Sequence, residues 1–442
     1  MTLLPLCVFL NSLLPLQGVD IAPPGLGERP TVDEITRVEI HMALSGEMKF
    51  SREGKPSTLA VKAEAKHTFA EKVLALKNGL PVKVARHYEI ANANFTLDGE
   101  KSVRSLRKDR QILVAQRPEN ELTVYCPNGA LTREELELTS EHFDTMALAG
   151  LLPGKEVKQG ESWKIPNEVV QALCNFEGLA EHTLTGKVES KENGILTLVF
   201  LGIASGVEGG ASVKSAIKAV GKFDESLGKI TELQWGQEDE REQGPLNPAS
   251  KTRLNLKLSR KKIVSSTALA DAALVAVPQG FRVPNLLSYV EYRDGNGRFE
   301  LTMARDWQVV AKTENHLVLR LVEKGDFIGQ ATISQWSKAL PGKHISPTEF
   351  RAVAERTPGW LPEKVLQEGE VPGVEGGKWI FRIAAMGLLD GVPTMQIFYL
   401  IAGPGGEQLV ATFSLPPKQA EKLGTKDLSL VGSIEIPAGG KK

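Results

Sequence analysis

The sequence predicts a mainly β chain with α+β character, built as an N-terminal curved antiparallel sheet with one or two helices followed by a C-terminal α+β sandwich over an antiparallel sheet. Three observations carry this expectation. Apolar residues alternate with polar ones in run after run, as in Val38, Ile40, Met42 and Leu44 or Leu317, Leu319 and Leu321, which is the period of a half-buried strand. Turn sequences such as Pro127-Asn128-Gly129 and Gly403-Pro404-Gly405-Gly406 separate the runs. Helix-start signatures are few, and they stand between strand groups rather than alternating with single strands.

A chain of 442 residues with 41% apolar and 24% charged residues is an ordinary soluble composition, long enough for two or three domains. With 53 Lys+Arg against 54 Asp+Glu, the net charge of -1 gives no long-range field to gather nucleic acid, which is not an expected partner. Leu3 to Leu16 is apolar, but it is too short and too broken by Pro5, Asn11 and Pro15 to span a bilayer. It reads as a secretory signal, giving an extracytoplasmic protein, periplasmic or secreted, with no stable transmembrane span once the leader is removed. Cys126 and Cys174 then remain. A disulfide between them closes a loop of about 48 residues, which the chain-entropy model values at roughly 4 kcal/mol; two buried free thiols are the other reading, and the sequence leaves both open.

In order, residues 1–20 are expected as signal peptide and 21–32, rich in Pro and Gly, as linker. The strand-rich domain covers 33–262. Its first hairpin pairs Val38 to Leu44 with Leu59 to Ala65, and strands follow at Val82 to Ile90, Ile112 to Ala115 and Leu122 to Cys126. Thr132 and Glu135 have capping-box spacing, so a helix is expected to start there, or to restart at Ser140, and to run to Ala149. Gly160-Glu161-Ser162 delivers Trp163 into a core. Strands resume at Leu184 to Val188, Ile195 to Ile203, Val213 to Phe223, Ile230 to Trp235 and Leu254 to Leu258, with helix as the other reading of Val213 to Ile217. Residues 263–285 read as a linker holding a short Ala-rich helix. The α+β domain covers 286–438. It opens with an expected meander, in which strands at Leu301 to Met303, Trp307 to Ala311 and Leu317 to Leu321 join by tight turns. Ser346-Pro347-Thr348-Glu349 starts a helix, with Ser as N-cap and Pro at N1. Further strands at Trp379 to Ala384, Met395 to Ile401 and Leu409 to Phe413 precede a last amphipathic segment.

From about Leu286 to Ile436 the layout resembles the PsbP-like superfamily, named for an extrinsic photosystem II subunit. The residues that carry the resemblance are Phe299, Leu301 and Met303 with Asp306, Trp307 and Val309, the strand Gln396 to Leu400, the strand Leu409 to Pro416, and the closing Gly432-Ser433-Ile434. The resemblance implies a fold and carries no activity. The N-terminal unit resembles bacterial extracytoplasmic lipoproteins of the LolA-like kind in architecture, a curved antiparallel sheet with few helices.

Motifs for chemistry are missing. The seven His residues, His41, His67, His87, His142, His182, His316 and His344, form no H-x-H or H-E-x-x-H pair, although His41 and His67 are expected to face each other across the first hairpin. There is no G-x-S-x-G elbow, phosphate loop or dinucleotide fingerprint. The acidic clusters Glu134-Glu135-Leu136-Glu137 and Glu238-Asp239-Glu240 are expected as solvated helix-start and loop charges, with pairing to cations as the other reading. Asn94-Phe95-Thr96 is a glycosylation sequon. Trp307, Trp336, Trp360 and Trp379 are read first as core, with Trp307, Trp336 and Trp379 as candidates to line a ligand groove. The expectation is therefore an exported binding or scaffold protein for an unknown protein or small apolar ligand, without catalytic, metal or cofactor residues. A lipid or lipoprotein carrier with an apolar cavity in the N-terminal sheet is the first alternative, and a hydrolase with a site assembled from distant residues is the second.

Overall fold

The structure, a computed structural model, describes residues 25–437 apart from 53–54, 120, 141–142, 245–246, 324 and 374–376. The expected signal segment lies outside the described residues. The first fourteen strands are β1 (Ile35–Arg52), β2 (Lys55–Lys77), β3 (Leu80–Leu97), β4 (Glu100–Ser105), β5 (Ile112–Gln116), β6 (Thr123–Tyr125), β7 (Leu131–Thr132), β8 (Ser162–Lys164), β9 (Gly178–His182), β10 (Thr185–Glu192), β11 (Ile195–Glu208), β12 (Ala211–Asp224), β13 (Lys229–Arg241) and β14 (Ala249–Ile263). All but β7 join one 13-stranded antiparallel sheet in the order β6-β5-β3-β2-β1-β14-β13-β12-β11-β10-β8, with β4 beside β3 and β9 beside β11.

The sheet is two meanders welded along β1 and β14, paired from Ile35 opposite Ile263 to Lys49 opposite Ala249. Side-chain parity runs unbroken across that seam. One row on the inner face reads Phe200, Ala219, Trp235, Leu256, Met42, Ala65 and Ala93 across seven strands. A one-residue slip at any strand would turn its apolar set to water, so burial specifies the register.

Two helices, α1 (Arg133–Ser140) and α2 (Asn167–Leu173), and a 3-10 segment at Thr145–Leu151 cover the inner face. The capping box at the start of α1 forms as expected: Glu135 N donates to Thr132 Oγ1 at 3.2 Å, and Thr132 N donates to Glu135 Oε2 at 2.9 Å. The helix does not reach Ala149. Asp144 accepts from Met146 N at 3.0 Å and caps a new 3-10 segment, which lets Phe143 turn onto Trp235 with ring centroids 5.2 Å apart. Trp163 enters the core as expected, its Nε1 donating to Leu151 O at 2.9 Å. The helix α2 had no sequence expectation, and only Pro166 marks its start.

A buried ion cluster pins the 3-10 segment to the sheet. Arg86 Nε donates to Glu71 Oε2 at 2.8 Å, Arg86 Nη2 donates to Thr145 Oγ1 at 2.9 Å, and Asp144 is held by Arg117 at 3.0 Å. His67 lies against Tyr88 in an edge contact, with centroids 6.1 Å apart, beside this cluster. Burial, with Arg86 second, lowers the His67 pKa to about 4, and burial pushes the Tyr88 hydroxyl up to about 12.

Neither expected linker hangs free. Leu26 pairs with Lys155 and is buried, and Glu28 accepts from Ile230 N at 2.8 Å while its carboxylate engages Arg260. On the outer face of β2 and β3, Leu269 packs with Ala70 and Ala85. Lys72 pairs with Asp271 at 2.8 Å, and Lys83 Nζ donates to Pro278 O and Gly280 O, each at 2.6 Å. Residues 263–285 are thus a strap across the sheet. Its expected helix is two 3-10 turns, Thr267–Leu269 and Asp271–Leu274.

Beyond α3 (Asn285–Ser288), the strands are β15 (Val290–Arg293), β16 (Glu300–Met303), β17 (Trp307–Lys312), β18 (His316–Glu323), β19 (Asp326–Trp336), β20 (Trp360–Glu370), β21 (Trp379–Leu389), β22 (Val392–Ala402) and β23 (Gln408–Leu415). The opening meander needs correction. β16 pairs with β15, which runs parallel to β7, while β17 begins a separate seven-stranded sheet in the order β17-β18-β19-β23-β22-β21-β20. The cause is the break at Arg305, whose Nη2 donates to Val124 O at 2.6 Å and ties the turn to the N-terminal unit. Strand β20, exposed along most of its length, has no alternation for a sequence reading to find.

Helix α4 (Pro347–Glu355) covers one face of this sheet through Phe350 and Ala354, and α5 (Ala420–Leu423) with α6 (Lys426–Gly432) covers the other. The Tyr399 hydroxyl donates to the buried Asp427 at 2.6 Å and anchors α6. One apolar cluster runs from Val38 and Ile40 through Trp235 to Trp307, Leu319 and Phe413, so both units share a core.

Two outcomes follow. Replacing Arg86 by Met strands Glu71 in the core and is expected to cost about 3 kcal/mol, read by urea unfolding; less than about 1 kcal/mol contradicts the pinning role. His67 is favoured neutral in the folded state, so its contribution is full above pH 6.5 and is lost as pH falls toward 4. Between pH 7 and pH 4.5, urea unfolding is expected to show the native chain losing about 2 kcal/mol more than His67→Leu, and equal losses contradict it.

Candidate functional site

The parity that fills the inner face leaves an open surface on the other side of β11 to β14. A cavity of ≈ 830 Å³ lies there, lined by Leu201 and Ile203 from β11, Ala216, Lys218 and Val220 from β12, Gln234, Gly236 and Glu238 from β13, and Arg253, Asn255 and Lys257 from β14. Pairing fixes their neighbours. Leu201 stands opposite Lys218, Lys218 opposite Gly236, and Gly236 opposite Asn255. The outward residues of one continuous ladder therefore form the trough. Its volume is within the range of small-molecule sites.

Its floor is bare at Gly236, where an added Cβ would stand 3.3 Å from Lys218 O. The wall on the β11 side is apolar and exposed, with Leu201 at 58% and Ile203 at 46%. The opposite side is polar. Glu238 engages Arg253 at 2.6 Å, a surface pair of small energetic weight. On the inner side of the same strands, Trp235 Nε1 donates to Gln237 Oε1 at 2.9 Å, Gln237 Nε2 to Asp239 Oδ1 at 2.9 Å, and Ser215 Oγ to Asp239 Oδ1 at 2.5 Å. That chain holds the floor rigid. Burial raises the Asp239 pKa.

On the inner face beneath, Phe143, Met146, Leu151, Trp163, Phe200 and Trp235 belong to one buried apolar cluster. A second cavity of ≈ 220 Å³ lies where the two units meet, lined by Arg107, Arg133, Glu134, Glu291, Tyr292 and Lys312 among others. Arg107, Arg133, Arg293 and Lys312 line it against Glu134 and Glu291, and ion pairs engage several of these charges. Arg107 Nε pairs with Glu135 at 2.6 Å, and Lys312 pairs with Glu134 at 2.8 Å.

His41 and His67 do not face each other. Register sets Ile40 opposite His67 and His41 opposite Lys66, so His41 is exposed on the outer face and His67 is buried on the inner one. Among the described residues no group of three or more His, Cys, Asp or Glu gathers as a metal site. Cys126 and Cys174 are buried free thiols whose pKa values burial raises, the second of the two readings left open by the sequence. Trp307 is core, packed edge-on to Phe413 with centroids 5.8 Å apart. Trp379 stacks between His344 at 3.6 Å and Phe381 at 5.8 Å, Trp360 is buried near Phe398, and Trp336 ends β19 half-buried. None of these four tryptophans lines either cavity. Sequence reasoning missed the trough because no motif marks it. The only available signal was large apolar residues, Leu201, Ile203 and Val220, at solvent-side positions of otherwise alternating strands.

No helix among the described residues is long and apolar enough to cross a membrane. No family model and no curated protein matches the chain. Among solved structures it is similar to the cyanobacterial PsbP of Synechocystis sp. PCC 6803, at 12% identity over 34% of this chain and 93% of that one, with a TM-score of 0.28. The Saccharomyces cerevisiae Ran-binding protein Mog1p is similar at 11% identity over 34% of this chain and 95% of that one, with a TM-score of 0.26. Lipovitellin, in a structure of lipid-protein interactions, is similar at 8% identity over 54% of this chain and 26% of that one, with a TM-score of 0.29. None of these three is of the LolA-like kind. At these identities and scores the likeness concerns a β-rich fold alone.

Proposed function

We propose that this chain is an exported, non-catalytic binding protein that takes a small ligand with apolar character in the trough on the outer face of β11 to β14. The observation that carries the reading is the exposure of Leu201, Ile203 and Val220 beside a bare glycine floor in a cavity of ≈ 830 Å³, on a surface that alternation would otherwise make polar. Export rests on the apolar leader from Leu3 to Leu16. A carrier of lipid or lipoprotein is the related reading. It requires an apolar cavity inside the N-terminal sheet, whereas the exposed apolar wall is on the outside. The non-catalytic part is supported by the position of the densest polar cluster, Glu71, Arg86, Asp144 and Thr145, which is sealed in the core as a fastening between sheet and 3-10 segment.

Nile red, a neutral apolar dye, tests the site without presuming a charge. The full chain is expected to bind about one equivalent with enhanced fluorescence, and Leu201→Glu or Ile203→Glu is expected to weaken that binding about tenfold or more. Undiminished binding by both variants contradicts the site. Amino-terminal sequencing of the protein recovered from cell fractions tests export: a mature start near residue 20 outside the cytoplasm is expected, and an intact leader on soluble cytoplasmic protein contradicts it.

A further inference from the structure

We infer that the trough binds an anionic amphiphile, one alkyl or acyl chain ended by a carboxylate, phosphate or sulfate; this rests on the trough being the ligand site. Its two sides differ in chemistry. Toward β11 stand Leu201, Ile203 and Val220, with Ala216 opposite Ile203. Three cations line the trough: Arg253 and Lys257 from β14, and Lys218 from β12, where it stands between Ala216 and Val220 on the outward row. Lys218 lies opposite Gly236, and Lys257 lies opposite Gln234, two residues before Gly236 on the same strand, so one lysine stems from the strand on either side of β13 and Gly236 adds no side chain between them.

Arg253 is engaged by Glu238, whereas Lys218 and Lys257 make no ion pair among the described residues. Three cations (Lys218, Arg253, Lys257) against one carboxylate (Glu238) leave the lining at +2, on a chain whose net charge is -1. An anionic head therefore finds two unneutralised partners over Gly236, and a cationic head meets repulsion. From β13 to β11 is two strand spacings, about 10 Å. The apolar wall begins there, at Leu201 and Ile203 on β11. A free inorganic anion uses the head position alone, and an anionic bilayer is too flat to enter a trough. A single chain-bearing anion uses both sides, with the lysine stems extending the apolar contact.

Isothermal titration calorimetry of the full chain tests this with laurate below its micelle concentration, against dodecyltrimethylammonium, dodecyl maltoside, inorganic phosphate and phosphatidylglycerol vesicles. Laurate is expected to bind one to one, about tenfold or more tighter than the cationic and neutral chains and than phosphate. Lys218→Glu and Lys257→Glu are each expected to weaken laurate about tenfold while Nile red binding stays in place, and Ile203→Glu is expected to weaken both. Equal affinity for the cationic or neutral chain, with both lysine variants unchanged, overturns the anionic assignment while the Nile red result still supports the trough. Vesicle binding without one-to-one laurate uptake overturns it in favour of a membrane surface. If Ile203→Glu changes neither laurate nor Nile red binding, the trough itself is wrong.

Discussion

The pairing of β1 with β14 is the constraint on which everything else depends. It joins a meander from the start of the unit to a meander from its end, and it does so in the register that places Ile40 opposite Leu258 and Met42 opposite Leu256. Fifteen consecutive residue pairs hold that seam, so the inner and outer faces are continuous from β3 to β11. A slip of one residue would turn one side of the seam over relative to the other, burying Glu39 and His41 in place of Val38 and Ile40, or Lys257 in place of Leu258. Chemistry on either face is a consequence of this one alignment.

Given that seam, the two faces diverge. The inner one is filled by aromatic and aliphatic side chains from α1, the 3-10 segment and α2, with the Glu71–Arg86 cluster as its polar fastening. Close packing there leaves the trough floor little freedom, because Trp235, Gln237 and Asp239 are bonded in series directly beneath Gly236. The outer face keeps its polar character through most of its area. It also carries apolar residues at Val103 on β4 and under Leu269 at Ala70 and Ala85, but along β11 and the adjoining part of β12 the exposed Leu201, Ile203 and Val220 stand beside lining charges that do not cancel. A rigid floor beside an apolar wall is an arrangement for holding a ligand, with little ordering left to do on binding.

Much of the fold was legible, for a physical reason. Strands with one wet face write their parity into the sequence, and β1, β2, β11 to β14, β18 and β23 were all readable from it. The elements that escaped are those for which local pattern carries no information. β20 is exposed along most of its length and so has no alternation, α2 is a single short buried helix, and the meander failed at β16 because a long-range bond from Arg305 to Val124 O decides which sheet the next strand joins. In the segments expected as linkers, Pro and Gly mark irregular backbone, which is not the same as unattached backbone; Leu26, Leu269 and Lys83 attach it. The trough was out of reach for a related reason. It is assembled from four strands whose mutual register, and not any one stretch, places Leu201 beside Lys218 and Lys218 beside Gly236.

The most direct measurement is a crystal structure of the chain with 12-bromododecanoate, using the anomalous signal of the bromine to locate the tail. The account predicts a bromine peak on the outer face near Ile203, with the carboxylate over Gly236 between Lys218 and Lys257. A peak on the inner face among Phe143, Trp163 and Phe200 would contradict it and would give the sheet the interior cavity of a carrier.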